Sequence, residues 1–547
     1  MGSYPYPDNF PRPFHKVVAA AQKIRKETVG HNNLTKEKFL QLVKTISGDM
    51  GLNPIPSWAL YFVLFRLNKL NKNLKKLLMI KKTRSWSGIV PVSIFTKNFG
   101  CPGRCVFCPS ETMVPKSYFS NEPAVMRAIR NKFDANRQVC SRLVQLFLSG
   151  HSIEKIELII QGGTFSAIGK KYREHFLKRV FDAANSNIEN IILGKKIPKA
   201  AVSLKQSQTI NEKAKQRIIG ITVETRPDWI TKEEIIFLRK IGVTRVELGV
   251  QSLNGQVLKR VGRGHTVGDV IKAAKMLKDA GFKICFHMMP GLPKAVPETD
   301  FWDFYELFNN QDFQPDLLKI YPCVVTKDSE LANWFEKGKY LPYDDCVLTD
   351  LIVRIKKIIP PYVRILRLVR DIPAQNIIAG SLVSNLRQSV QKKLAAENRQ
   401  CRCIRCREVA LNNQKRDLRL RITYYKSSGG KEFFLEYIDK KTETLFALLR
   451  LRFPAFLYDR SNPLFKELDN SAIIRELHTY GLSIPIGNRK KLSPQHQGLG
   501  RELLQKAEEI VIKEGFRKIA VTSGIGAREY YRKFGYKLQG LYMIKNL

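Results

Sequence analysis

The sequence predicts an α/β protein, a parallel β/α barrel or partial barrel followed by a smaller mixed α/β module, and three observations lead there. Between about 88 and 370, short β-like runs alternate with helix-like stretches, the rhythm of βα units around a parallel sheet. Beyond about 422, strand-like runs come consecutively and are followed by a glycine-containing loop that opens a helix. Ahead of residue 85 the chain reads as helical and basic, and 547 residues with 44% hydrophobic content suffice for two to four domains.

Four segments follow in order: 1–85, a basic helical segment; 86–384, the barrel; 385–421, a basic linker; and 422–547, the C-terminal module. In the first, Arg66, Lys69, Lys72, Lys75 and Lys76 recur at spacings of three and four, which places them along one helical face. Between Asp49 and Glu111 there are ten Lys or Arg and no acid. A charge run is ordinarily a solvated face, but one sign over this length suits a surface that tracks phosphates. The barrel strands are expected at Ile89–Phe95, Ile156–Gln161, Ile218–Glu224, Arg245–Gln251, Lys283–Met288, Leu318–Pro322 and Val363–Leu368, with chemistry at their C-terminal ends. The C-terminal strands are expected at Glu432–Ile438, Leu445–Arg452, Ser471–Tyr480 and Lys518–Thr522, with a helix over Leu499–Lys513.

The formal charge is +44, from 93 Lys+Arg against 49 Asp+Glu. Such a chain is drawn to a polyanion, nucleic acid before an anionic membrane. The best apolar run, Ala59–Phe65, is far too short to cross a bilayer, and the N-terminus is polar and Pro-rich, so a cytoplasmic protein is expected. Its ten cysteines then read as thiols or metal ligands rather than disulfides. Cys140, Cys285, Cys323 and Cys346 are isolated and read as buried small hydrophobes.

Cys101, Cys105 and Cys108 stand in the spacing C-x3-C-x2-C just after the first barrel strand. Three such thiolates can grip three irons of a 4Fe-4S cluster and leave the fourth open; structural zinc, the competing reading, wants four ligands. The loop resembles that of the radical-SAM superfamily, in which S-adenosylmethionine binds the open iron and is split to a 5′-deoxyadenosyl radical. Gln161-Gly162-Gly163-Thr164 resembles the superfamily's glycine motif, and Glu224 and Gln251, also at strand ends, complete the expected S-adenosylmethionine site.

In the last module, Gln495-His496-Gln497-Gly498-Leu499-Gly500 fits Q/R-x-x-G-x-G/A before a helix, where free N–H groups can hold a pyrophosphate. With Tyr530 and Tyr531 in a closing helix, the module resembles the GNAT acetyltransferases, whose ligand is acetyl-CoA. Adjacent helical positions cannot both face the core squarely, so one tyrosine is expected to face the site.

Both modules in one chain resemble the Elongator catalytic subunit family, the tRNA wobble-uridine carboxymethyl synthases. Matching stretches include Gly220-Ile-Thr-Val-Glu-Thr-Arg-Pro-Asp228, Glu247-Leu-Gly-Val-Gln-Ser252, Arg263-Gly-His-Thr-Val267, Leu318-Lys-Ile-Tyr-Pro322 and Arg475-Glu-Leu-His478. The resemblance implies that an adenosyl radical takes hydrogen from the acetyl methyl of acetyl-CoA, that the carbon radical adds to carbon 5 of the wobble uridine, and that thioester hydrolysis leaves a carboxymethyl group. By position it implies acetyl-CoA contacts at Lys155, Glu476, Leu477, His478, Thr479, Leu499, Gly500, Arg501 and Tyr530, with Tyr530 and Tyr531 catalytic. Cys401, Cys403 and Cys406 resemble the family's zinc motif, with three local ligands. The implied partners are the tRNA anticodon loop, held by the basic faces, and an electron donor; the oligomeric state stays open, a homodimer included. Two alternatives compete: a protein lysine acetyltransferase with Glu476 as general base, and an RNA-binding scaffold with structural metals.

Overall fold

A buried parallel sheet needs runs of β-branched and apolar residues, and seven such runs meet here. The computed structural model describes residues 10–29, 34–81, 88–383, 385–409, 417–459, 461–481 and 498–547. Strands β1 (Val90–Phe95), β2 (Lys155–Gln161), β3 (Arg217–Thr225), β4 (Arg245–Gln251), β5 (Lys283–Met288), β6 (Leu317–Ile320) and β8 (Arg364–Arg367) neighbour one another in that order, and every pair is parallel. β7 (Val325–Thr326) and β9 (Ile377–Ala379) form a separate antiparallel ribbon. β1 and β8 remain edges, so the barrel is open. Along β4 the period of two divides the strand: Val246, Leu248 and Val250 enter the core, whereas Arg245, Glu247, Gly249 and Gln251 line an internal cavity.

The N-terminal segment packs on helices that flank this sheet, Ala135–Leu148 and Ile188–Leu193. Its helices are α1 (Phe14–Thr28), α2 (Lys36–Asp49), α3 (Ser57–Arg66) and α4 (Lys72–Leu78). Val17, Ala20, Ala21 and Ile24 are wholly buried along one stripe of α1, and Tyr61 and Phe65 of α3 meet Phe147 of the barrel edge-on at 5.5 and 4.9 Å. The single helical face expected for residues 66–76 is not formed. α3 ends at Arg66, Asn68 turns left-handed at φ 53°, and the Asn71 side chain caps α4 by accepting from Leu74 N at 2.8 Å. Arg66, Lys72, Lys75 and Lys76 are exposed on two short helices, and Lys69 is half-buried in the turn between them.

The second sheet contains β10 (Leu418–Ser427), β11 (Gly430–Asp439), β12 (Leu445–Phe453), β13 (Ala472–Thr479), β14 (Lys518–Val521), β16 (Tyr542–Asn546) and β15 (Lys537–Gln539), in that spatial order. All pairs are antiparallel except β13 with β14. The helix Leu499–Lys513 buries Leu503, Leu504, Ala507 and Val511 against it. β10 goes beyond the strands expected from the sequence. Leu418, Leu420 and Ile422 alternate with Arg419, Arg421 and Thr423, and this edge strand starts four positions before the expected boundary at 422.

The two sheets meet at a polar, closely packed seam. Asp316, at the foot of β6, receives Arg475 of β13 through two bonds of 2.7 Å, with Arg450 of β12 at 3.5 Å; all three are buried. Arg452 joins the network through Glu432 and Asp279. The segment Gly524–Gly526 lies directly on the start of β3, where a Cβ at Gly526 would stand 2.5 Å from Arg217 Cβ. Cys140, Cys285 and Cys323 are buried, as expected, but Cys346 is exposed, because it precedes the packing face (Leu348, Leu351, Ile352) of the helix Asp345–Ile358.

Candidate active site

The loop after β1 carries Cys101, Cys105 and Cys108 at the C-terminal end of the barrel. Cys105 is buried and the other two are half-buried. Cys108 N donates to Cys105 O at 3.1 Å, and Val106 N donates to Val261 O at 3.1 Å, which pins the loop to the barrel. The Arg263 guanidinium donates to Cys105 Sγ at 3.5 Å. A hydrogen bond from Cys108, with Arg263 and Arg226 against the cost of burial, brings the Cys105 thiol down to about 5, so this sulfur favours the thiolate a metal needs. Zinc holds its sulfurs about 4 Å apart. The three sulfurs here do not gather within 4.8 Å of one another, whereas those of Cys401, Cys403 and Cys406 do. Three cysteines on one loop, with no fourth protein ligand beside them among the described residues, are the donor set that a 4Fe-4S cluster with one open iron takes.

Beside this loop the strand ends supply a polar cradle. Gly162 and Gly163 adopt φ values of 137° and 87°, open only to glycine, and a Cβ at Gly162 would overlap the Thr96 hydroxyl. Thr164 Oγ1 lies 3.5 Å from Cys101 Sγ. Tyr118 donates its hydroxyl to Glu224 Oε2 at 2.7 Å. Gln251 has φ 75°, unusual for a side chain, and its buried Oε1 has no hydrogen-bond partner among the described residues. Strain and an orphaned acceptor at one position mark a group kept for a ligand.

One cavity of about 1800 Å³ runs from Cys101, Cys108, Gly163, Glu224 and Gln251 through the barrel to Lys155, Glu476–Thr479, Gly500, Arg501, Tyr530 and Tyr531. A charged layer crosses it. Lys319 bridges Glu224 at 3.3 Å and Glu247, and Glu247 also meets His287 Nε2 at 2.8 Å and Arg245 at 3.4 Å. Arg245 in turn holds Glu157 at 2.6 Å. Burial would raise the Glu247 carboxyl, but Lys319 and His287 outweigh it and hold it far below the carboxylate range. Glu247, Cys285 and His287 are close enough to share an ion, yet the cations on Glu247 oppose one.

At the far end, β13 pairs with β14 only through Ala472–Ile474 and then splays away. The edge of Glu476, Leu477, His478 and Thr479 is left facing the cavity, with Tyr530 and Tyr531 opposite. The helix Leu499–Lys513 starts at Gly498, φ 86°, and a Cβ on Gly500 would stand 2.7 Å from the Tyr530 hydroxyl. Arg501 is exposed and Leu499 packs in the core. Tyr530 is 38% exposed and Tyr531 only 7%, so Tyr530 is the more open of the pair. Burial pushes the Tyr530 hydroxyl up to about 12 and the Tyr531 hydroxyl higher still, so both are proton donors at neutral pH. Burial lowers Lys155, which half-faces the cavity from the foot of β2. Glu476 accepts from Lys283 at 3.1 Å and Arg450 at 2.9 Å. Burial would raise its carboxyl, but these two cations hold it far below the usual range, which disfavours it as the general base of a lysine acetyltransferase. Gln495, His496 and Gln497 lie outside the described residues.

The second triad follows the helix Leu386–Ala396. Cys401 and Cys403 are buried, and Lys356 donates to Cys406 Sγ at 3.6 Å. Among the described residues no His, Asp or Glu joins the three sulfurs, so a zinc ion here would have three protein ligands among them. Sequence reasoning quoted Arg263 and Lys319 only within family-like stretches, without a role, and did not single out Arg245, Asp316 or Tyr118. For Arg245 the signal was present: Arg245, Glu247, Gly249 and Gln251 alternate within a strand that is otherwise Val and Leu.

With this geometry established, comparison with known proteins places each part. The Radical SAM superfamily model matches residues 96–308, the Radical_SAM C-terminal domain 315–396, and the Acetyltransferase (GNAT) family 493–536. The chain is 42% identical over 492 residues to "tRNA uridine(34) acetyltransferase" of Methanocaldococcus jannaschii, covering 87% of this chain and 88% of that one. It is 42% identical over 476 residues to the protein of that name in Dehalococcoides mccartyi, covering 86% and 100%. It is 38% identical over 489 residues to "Elongator complex protein 3" of Homo sapiens, covering 86% of each. Among solved structures, the archaeal Methanocaldococcus infernus Elp3 with an N-terminal deletion aligns with TM-score 0.72 and 40% identity, over 84% of this chain and 100% of that one.

Proposed function

The chain belongs to the family of the tRNA uridine(34) acetyltransferases and Elongator complex protein 3, and from that premise we propose that it attaches a carboxymethyl group, drawn from acetyl-CoA, to carbon 5 of the wobble uridine of tRNA. The observation that carries this reading is the single cavity joining the thiolate triad to the splayed edge of β13. Two half-reactions that share a short-lived carbon radical need one enclosed space.

In this reading Cys101, Cys105 and Cys108 hold a 4Fe-4S cluster, which with S-adenosylmethionine supplies the one-electron cleavage that yields a hydrogen-abstracting radical. The backbone at Gly162 and Gly163 admits the methionine end, and Glu224 and Gln251 orient the nucleoside. The β13 edge grips the acetyl and pantetheine end, with Lys155 facing it from the barrel. Gly500 and Arg501, at the start of a helix, take the pyrophosphate. Tyr530 or Tyr531 gives a proton to the departing thiolate. The cations of α3, α4 and the linker hold the anticodon loop by its phosphates while the base is splayed inward. Cys401, Cys403 and Cys406 hold a structural zinc. An external reductant is required, and the enzyme works in the cytoplasm. Among the described residues no helix is long and apolar enough to cross a membrane.

The test is anaerobic reconstitution with iron and sulfide, followed by assay of 5′-deoxyadenosine and of the modified nucleoside with and without tRNA. Label from acetyl-CoA should enter uridine 34 only when S-adenosylmethionine and reductant are both present. Label transferred to protein lysine instead, or no cleavage of S-adenosylmethionine, would refute the reading.

A further inference from the structure

The last step of that reaction is a hydrolysis, and it needs a base at the acyl end of the cavity. The carboxylates there are engaged: Glu476 with Lys283 and Arg450, Glu157 with Arg245, and Glu408 with Arg364 and Arg405. His478 is different. It stands on the splayed edge of β13, lines the cavity where the two domains meet, and its ring lies 4.3 Å from that of Tyr480. Its Nε2 is buried, and among the described residues nothing hydrogen-bonds to it. Leaving such a nitrogen unpaired is costly, so the fold keeps it for a partner that arrives with the ligands.

Resting on the function proposed above, we propose that His478 is the general base that hydrolyses the thioester once the acetyl carbon has been joined to the base. The Nε2 takes a proton from water as its oxygen attacks the thioester carbonyl carbon. The carbon–sulfur bond then breaks, Tyr530 or Tyr531 gives its proton to the leaving CoA sulfur, and the imidazolium returns its proton to that tyrosine oxygen. One water and one thioester become one carboxylic acid, which ionises to solvent, and one thiol; no electron is gained or lost. The surroundings keep this ring unprotonated. Burial lowers the His478 imidazole to about 4 against the opposing pull of Glu476 and Glu157, and Arg364 and Lys283 add to the lowering, so the ring is neutral at physiological pH. Those charges come from β2, β5, β8 and β13, so both domains together set the protonation of this ring.

The experiment uses the reconstituted full chain, tRNA, acetyl-CoA and S-adenosylmethionine, and compares wild type with His478→Gln. The wild type releases free CoA and carboxymethyl-tRNA. At saturating acetyl-CoA, His478→Gln should cleave S-adenosylmethionine at near wild-type rates, yet release CoA about 10²–10⁴-fold more slowly. A covalent tRNA–CoA thioester should accumulate, visible by mass spectrometry, and the acid limb of the wild-type pH–rate profile should vanish. A second variant, His478→Ala, should regain hydrolysis with added imidazole, which guards against a mere folding defect. Full product release by His478→Gln with an unchanged pH profile overturns the proposal, as does loss of product with no trapped adduct and no imidazole rescue. Failure of the wild type itself to modify tRNA overturns the function proposed above, a different result.

Discussion

Replacing Gly526 by alanine tests whether the two domains must be seated as observed. The residue sits in the 3₁₀ turn Ile525–Ala527 with no positive φ, so the backbone accepts alanine and the effect is purely steric. The added methyl would stand 2.5 Å from Arg217 Cβ and 3.0 Å from both Arg217 C and Ile218 N. Carbon atoms prefer about 3.5–4.0 Å, so the seam must open by roughly 1 Å. β3 is held on both sides by β2 and β4, so the turn and its domain move instead. Overpacking of this kind costs about 1–3 kcal/mol. A misplacement of about 1 Å between reacting groups lowers rate by around 10²-fold. Three measurements separate the effects: cleavage of S-adenosylmethionine without acetyl-CoA, the affinity for acetyl-CoA, and the modified uridine formed. The first two should stay close to wild type while the third falls by about two orders of magnitude. If modified uridine and the thermal midpoint are both unchanged, the seam does not set the distance between the sites.

Four further outcomes are expected. Serine at Cys101, Cys105 and Cys108 removes bound iron and the cleavage of S-adenosylmethionine but leaves acetyl-CoA affinity intact, as metal analysis and calorimetry would report. Cys403→Ser lowers zinc content and thermal midpoint without changing iron content. Alanine at Lys72, Lys75 and Lys76 weakens tRNA binding and flattens its salt dependence by about 0.7–0.9 in log–log slope for each phosphate that is no longer neutralised. Burial would raise the Asp316 carboxyl, but Arg475 and Arg450 bring it down to about 2 from its usual 3.8. Its contribution is therefore complete above pH 3.8 and lost as pH falls through about 2. Asp316→Asn should flatten that acid limb and cost up to about 3 kcal/mol in denaturant unfolding at neutral pH, because two buried arginines each lose one charge partner and keep only Glu432 or Glu476.

The chemistry was legible because it sits in local patterns. C-x3-C-x2-C after a strand, Gly162-Gly163 at the next strand's end, and Gly498-Leu-Gly500 before a helix each need only a few consecutive residues. Backbone geometry then dictates where those residues stand. The barrel strands were legible for the same reason, since period-two and period-3.6 patterns are short-range. The expected single face over residues 66–76 failed because one left-handed residue, Asn68, rotates everything after it, and spacing alone does not reveal that turn. β10 is hard to read because its arginines look like linker charge until Glu436 and Glu443, of the neighbouring strand and turn, are seen to pair with Arg421.

What the sequence determined by itself was therefore the list of parts: two modules, two cysteine triads and a basic N-terminal segment. What only the tertiary structure decided was that both sites open into one cavity, that Glu476 is held by Lys283 and Arg450, and that among the described residues the His478 Nε2 is left without a partner. These facts join residues 155 and 283 to residues 450, 476 and 478, far apart in the chain and brought together only when the foot of one sheet closes on the edge of another. Charge, burial and the filling of hydrogen bonds depend on distance in space, and over such separations the order of residues does not encode it.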